Sequence, residues 1–277
     1  MDHAFKIAPG KKVRLADYDP NANGDMKKEE GLIKLGKLTA ELGTLQEELY
    51  AASQHSVLMI LQGIDTSGKD GTIRSVLIDV NPQGCQVEAF KVPTEEELAH
   101  DFLWRAHRVT PHQGIIGVFN RSHYEDVLVV RVHTRLPEKI WKARYEQINA
   151  FESLLAHNKT IVLKFYLHIS KEEQEQRLLE REQDVTKAWK LSAGDWRERE
   201  HWDDYIAAYQ DAIERCSTDA APWYIVPANR KWYRNLAVCE ALVETLREYR
   251  KDWSRALDAM STARLAELAE FRAGRPG

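Results

Sequence analysis

Cysteine is scarce in this chain. Cys85, Cys216 and Cys239 are the three present among 277 residues, and they form no C-x-x-C unit. An odd number at such spacing excludes a disulfide framework and a zinc knuckle and suits a reducing compartment. Long apolar runs are also missing: no stretch reaches the roughly 20 residues that cross a bilayer. The opening residues Met1-Asp2-His3-Ala4-Phe5-Lys6 hold no apolar signal region, so a soluble, cytoplasmic protein is expected. Excess charge of one sign is lacking too, with 39 Lys and Arg against 43 Asp and Glu, a net −4. The surface as a whole therefore predicts neither a nucleic-acid nor a membrane partner, and any anion site has to be assembled locally. Internal repeats, low-complexity tracts and interdomain linkers are likewise absent.

What is present, 43% hydrophobic and 30% charged residues, suits one substantial domain. Residues 1 to 25 are polar and turn-rich, as in Asp17-Tyr18-Asp19-Pro20-Asn21-Ala22-Asn23-Gly24, and read as an arm lying on the domain outside its core. Leu32, Leu35, Leu38, Leu42, Leu45 and Leu49 recur at three and four, which predicts an amphipathic helix over 27–54. Short apolar runs at 57–61, 87–92, 115–119, 160–169 and 223–226 then alternate with helical segments at 94–109, 136–157, 170–183 and 230–250. Such alternation predicts an α/β fold with a parallel sheet covered on both faces. The domain is expected to span 26–257, followed by a C-terminal tail over 258–277.

The most informative segment is Gly63-Ile64-Asp65-Thr66-Ser67-Gly68-Lys69-Asp70, between the apolar run 57–61 and a helix-like stretch from Thr72. It fits G-x-x-x-x-G-K-[ST] except that Asp70 replaces the terminal hydroxyl residue, which normally sits on Mg²⁺. Glycines let the backbone curl so that successive N–H groups and the start of a helix face one anion. Gly63, Thr66, Ser67, Gly68, Lys69, Asp70, Gly71, Thr72 and Arg74 are therefore the candidate phosphate-binding set. Asp65 is awkward inside a loop that cradles only negative phosphates, and makes sense if it holds a hard cation there; the competing reading is a turn-forming aspartate.

A second motif, Phe119-Asn120-Arg121-Ser122-His123-Tyr124-Glu125-Asp126, closes another apolar run. Ligands of open α/β sheets bind beyond the carboxyl ends of strands, where both motifs would lie. Arg121 is placed to stabilise a transferring phosphate, unless it merely pairs with a neighbouring acid. Asn120, Arg121 and Glu125 are candidates for nucleotide binding; Asp65, Asp126 and Glu125 are candidates for metal. His123 reads as a hydrogen-bonding scaffold. Arg177 and Arg181 stand four apart on a helix, beside the charge-dense segment 184–200 with Lys187 and Lys190. That pattern fits a phosphate clamp under a lid, or equally a solvated helix–loop–helix.

From about Tyr50 to Tyr249 the chain resembles the polyphosphate kinase 2 family. The resemblance is carried by the two motifs above, Trp189-Lys190, Trp202-Asp203-Asp204-Tyr205 and Ala221-Pro222-Trp223-Tyr224-Ile225-Val226-Pro227-Ala228-Asn229. It implies a P-loop kinase fold, a three-layer α/β/α sandwich with a helical lid, that transfers phosphoryl groups between inorganic polyphosphate and nucleotides. By the same resemblance, Asp65, Lys69, Arg121 and Asp126 form the catalytic set, Lys187 and Lys190 are lid cations, and Mg²⁺ or Mn²⁺ is the cofactor. Many members acting only on diphosphates carry Ser-Trp-Tyr-Asn where this chain has Ser122-His123-Tyr124-Glu125, which implies that AMP and ADP both serve here as acceptors. Adenine nucleotides are implied, guanine nucleotides are left open, and a homo-oligomer, dimer or tetramer, is expected. The rivals are an ATP-dependent nucleotide or metabolite kinase, against which Asp70 argues, and a nucleotide switch or sensor. Asn158-Lys159-Thr160 is followed by Ile161 and so lacks the aspartate of a guanine-reading N-K-x-D.

Overall fold

The computed structural model describes residues 3–133, 135–183 and 193–273. Six strands form one sheet: β1 (Phe5–Lys6), β2 (Ser56–Gln62), β3 (Cys85–Ala89), β4 (Ile116–Asn120), β5 (Thr160–His168) and β6 (Trp223–Pro227). Their order is β1-β6-β5-β2-β4-β3, with β2 to β6 parallel and β1 antiparallel on β6. Every residue of β2, β5 and β6 is buried, as expected for parallel strands covered on both faces. Successive side chains of β2 feed opposite faces. Val57, Met59 and Leu61 join the larger core, and Leu58 and Ile60 join a second one with Phe151 and Leu155.

The long helices are α1 (Lys28–Ala52), α2 (Lys69–Val76), α6 (Glu138–His157), α7 (Lys171–Gln183), α8 (Ala193–Glu200), α9 (Trp202–Cys216) and α10 (Lys231–Ala273). The short α3 (Glu95–Leu98), α4 (Trp104–His107) and α5 (Val129–Val132) lie between them. The leucine stripe of α1 is buried at Leu35, Leu38, Leu42, Leu45 and Leu49, whereas Leu32 is exposed. The helix expected over 94–109 is two pieces, because Thr94 and Glu97 close a capping box that starts α3 and a bend separates it from α4.

One expectation about the ends of the chain is corrected. The N-terminal residues lie on the domain but not outside its core: β1 extends the sheet, and Ile7 and Leu15 are each 1% exposed in the main core. His3 and Lys34 both bond the Glu240 carboxylate, fastening this segment to α10. Burial alone would raise the Glu240 carboxyl, but those two bonds hold it at about 2. At the other end α10 runs on to Ala273, with Trp253 its last buried residue. Among the described residues no helix is long and apolar enough to cross a membrane.

Candidate active site

The phosphate loop joins β2, at the centre of the sheet, to α2. Gly68 has φ +99°, a conformation that costs other residues strain. A Cβ there would also stand 1.8 Å from Nη1 of Arg234. Thr66 is left-handed at φ +65°. The hydroxyls of Thr66 and Ser67 are buried and make no hydrogen bond within the described residues, so the loop offers donors without an internal acceptor. Lys69 folds back across the loop, Nζ donating to the carbonyls of Gly63 (2.8 Å) and Ile64 (3.5 Å). Burial, reinforced by the nearby Arg121 charge, lowers its pKa to about 8. Asn120, at the tip of β4, donates to the Asp70 carboxylate at 2.8 Å, joining the second motif to the start of α2. Arg74 stands exposed on α2.

β4 lies beside β2, so the two motifs meet although more than fifty positions separate their charges. Arg121 has φ +62°, and its N–H donates to Leu61 O at 3.0 Å. That turn aims its guanidinium between two carboxylates: one nitrogen bonds Asp65, the other Glu125 at 3.1 Å. Burial opposes its charge while Glu125 and Asp65 favour it, and the balance raises its pKa. Gly63, Ile64, Asp65, Arg121, Glu125 and Leu128 line a crevice completed by Glu198 from α8 and Tyr205 and Tyr209 from α9. Its volume is about 20 Å³, room for about one water.

Residues 193–200 of the expected lid form α8, which packs on α7. Asp195 pairs with Arg181 at 2.8 Å, Trp196 Nε1 donates to Glu182 at 2.8 Å, and Arg199 bonds the Lys171 carbonyl at 2.6 Å. Glu198 accepts from Tyr205 at 2.7 Å and contacts His133 at 3.0 Å. Arg181 is thus an anchor for α8. Lys187 and Lys190 lie outside the described residues.

Three expected site residues sit elsewhere. Arg177 is 7% exposed and spends all five of its N–H donors on the protein: Glu173, the carbonyls of Thr66 and Ser67, and those of Ala228 and Asn229. It braces the phosphate loop from behind and has no donor left for a phosphate. Asp126 is outside the crevice lining, with Oδ2 on Arg105 at 3.3 Å and Oδ1 on Arg144 at 2.9 Å. Burial raises its pKa against the pull of those arginines, and both oxygens are committed to a brace rather than to a metal. Thr72 donates its hydroxyl to Gly68 O at 3.1 Å and so supports the loop.

The sequence reading missed Glu198, Tyr205, Tyr209 and Arg234, which only the fold brings to the loop, Tyr209 reaching Gln62 and Arg234 reaching Ser67. It also missed a buried network beneath the second motif. Glu152 receives Tyr124 OH at 2.9 Å, His123 at 3.3 Å and the ammonium of Lys164, which also donates to Cys216 O at 2.6 Å. Burial raises the Glu152 carboxyl, but Lys164 and His123 outweigh it and the net shift is downward. A lysine inside the apolar run of β5 was the signal for it.

Among the described residues no group of three or more His, Cys, Asp or Glu forms a ready-made metal cage. Asp65 and Glu125, flanking Arg121 at the crevice, nonetheless suit Mg²⁺, which takes one or two protein carboxylates and completes its shell with phosphate oxygens and water.

A glycine-rich phosphate loop after the central strand of a parallel sheet, facing an arginine–carboxylate motif at the next strand's tip, defines a P-loop phosphotransferase architecture. The family model described as Polyphosphate kinase 2 (PPK2) matches residues 25–254, and the chain belongs to that family. It is 50% identical over 244 residues, 87% of this chain and 91% of the relative, to an AMP/ADP-polyphosphate phosphotransferase of Meiothermus ruber. It is 41% identical over 281 residues, 97% and 96% of the two chains, to an ADP-polyphosphate phosphotransferase of Rhodopseudomonas palustris. The crystal structure of Polyphosphate Kinase 2 from Arthrobacter aurescens TC1 superimposes with a TM-score of 0.85 at 44% identity, covering 88% of each chain.

Proposed function

We propose that this protein transfers phosphoryl groups reversibly from inorganic polyphosphate to AMP and ADP, giving ADP and ATP. The observation that carries the reading is Arg121 held between Asp65 and Glu125 against the phosphate loop, in a chain half identical to a relative named for both acceptors. Donor and acceptor are both polyanions, so the site has to align them and neutralise the charge gathering between them. The loop amides and Lys69 hold one phosphate run. Arg121 faces the transferring group, and Asp65 and Glu125 keep its guanidinium from swinging away. Asp65 and Glu125 are the residues that would hold Mg²⁺, or Mn²⁺ in its place, which would offset phosphate charge. Glu198, Tyr205 and Tyr209 narrow the crevice and exclude water, which would otherwise hydrolyse the donor.

The same reading carries adenine over guanine as the preferred base, self-association as a dimer or tetramer, and action in the cytoplasm. The test is nucleotide turnover with purified protein, Mg²⁺, long-chain polyphosphate and either AMP or ADP, resolved by ion-exchange chromatography. ADP and ATP are expected from AMP only when polyphosphate is present. Product from ADP alone would restrict the acceptor, and transfer only with ATP as donor would replace polyphosphate with an ordinary kinase reaction.

A further inference from the structure

Arg234, on α10, lies directly behind the phosphate loop and is 3% exposed. Its Nη1 donates to Ser67 O at 3.2 Å, and its remaining contacts go to the neutral side-chain oxygen of Asn235. Among the described residues it forms no ion pair with a carboxylate. Burial, and then the like charge of Arg177, lowers its pKa to about 9. Arg177, by contrast, has Glu173 at 2.7 Å. The structure therefore buries one guanidinium whose charge no carboxylate among the described residues balances, an arrangement that is costly in the free protein.

The location gives that cost a use. Ser67 O is drawn backward by both arginines, at 3.1 Å and 3.2 Å. A trans peptide unit carries its N–H opposite its carbonyl, so the same pull turns the Gly68 N–H to the front of the loop. A polyanion seated there would sit across one thickness of backbone from the unbalanced charge, in surroundings that screen it weakly.

We propose that Arg234 is a positioning residue for polyphosphate: it sets the loop carbonyls from behind, and its charge is balanced only when a polyanion occupies the front. This rests on the polyphosphate reading above. Two consequences run in opposite directions. Replacing the guanidinium by an uncharged side chain of similar length relieves the free protein, and it weakens the hold on the anion.

The experiment measures thermal unfolding of the wild type, Arg234→Met and Arg234→Lys with and without tripolyphosphate, alongside steady-state kinetics. In R234M the Tm of the free protein is expected at or above the wild-type value, with the tripolyphosphate-induced rise cut to about half or less. KM for polyphosphate is expected to rise about tenfold with KM for AMP unchanged. R234K, which keeps the charge, is expected to keep most of the rise. A wild-type tripolyphosphate response and KM in R234M would overturn the proposal whatever its Tm. Should R234M fail to fold, a lost response in R234K would overturn the charge argument, and a retained one would support it. Absence of any response in the wild type would instead remove the polyphosphate reading itself.

Discussion

Anion binding at the loop should be accompanied by proton uptake on Lys69, and the amount should depend steeply on pH. In the free protein burial, with Arg121 nearby, holds this ammonium at about 8. A polyphosphate across the loop supplies negative charge at contact distance and moves the pKa back toward its ordinary 10.5 or beyond. At pH 9 free Lys69 is then about one-tenth protonated and bound Lys69 almost fully so, an uptake of about 0.9 proton per site; at pH 7 the uptake is only about 0.1. The accompanying loss of affinity between pH 7 and pH 9 is about tenfold, or about 1.4 kcal/mol. The assay is calorimetric titration of tripolyphosphate, without metal, in pairs of buffers of different ionisation enthalpy. Lys69→Arg, whose charge does not titrate in this range, should remove the pH 9 uptake. Equal uptake at pH 7 and pH 9, or its survival in K69R, would refute the argument. The effect on stability has its own sign: the folded pKa lies below the unfolded one, so the cost of the buried cation is full below about pH 8 and is relieved as pH rises toward 10.5.

Asp65→Asn should leave the thermal transition within a few degrees of wild type and lower turnover by about 10²-fold or more, since it removes one of the two charges that hold Arg121; near-normal turnover with unchanged Mg²⁺ dependence would reject its role. Gly68→Ala should cost about 1–3 kcal/mol through backbone strain and displacement of the Arg234 guanidinium, and raise KM for polyphosphate, as chemical denaturation and kinetics would report. Ile7→Ala should cost about 2–5 kcal/mol if the N-terminal strand belongs to the core, as its burial requires; a loss below 0.5 kcal/mol, the range of surface substitutions, would return those residues to the status of an arm.

The central strands, the phosphate loop and the convergence of Asp65 with Arg121 were legible because each rests on local pattern: unbroken apolar runs, glycine spacing, and a polar motif at a strand's end. Arg177 was misread for a physical reason. An arginine four residues before another on a helix looks the same whether the face meets solvent or backbone, and only the fold puts Thr66 and Ser67 over it. Asp126 was misplaced likewise, since Arg105 and Arg144 stand far on either side in sequence and carry no mark of pairing with it. β1 escaped notice because two residues cannot show a period, and its place on the sheet depends on register with β6. Arg234 is the extreme case, 167 positions from the carbonyl it holds.

The hold of Arg177 on the loop has a corollary for engineering. It grips Thr66 and Ser67 through main-chain oxygens alone, so its support is indifferent to which side chains those positions carry. The constraints left there are the left-handed backbone at Thr66, which asparagine or glycine also tolerates, and the small space beside Gly63, where an added Cβ would meet Ser67 Oγ at 2.6 Å. Position 66 thus admits few replacements and position 67, fully buried, only a side chain as small as serine. The mount fixes the course of the loop, while a narrow set of small side chains could retune the chemistry it shows to the donor.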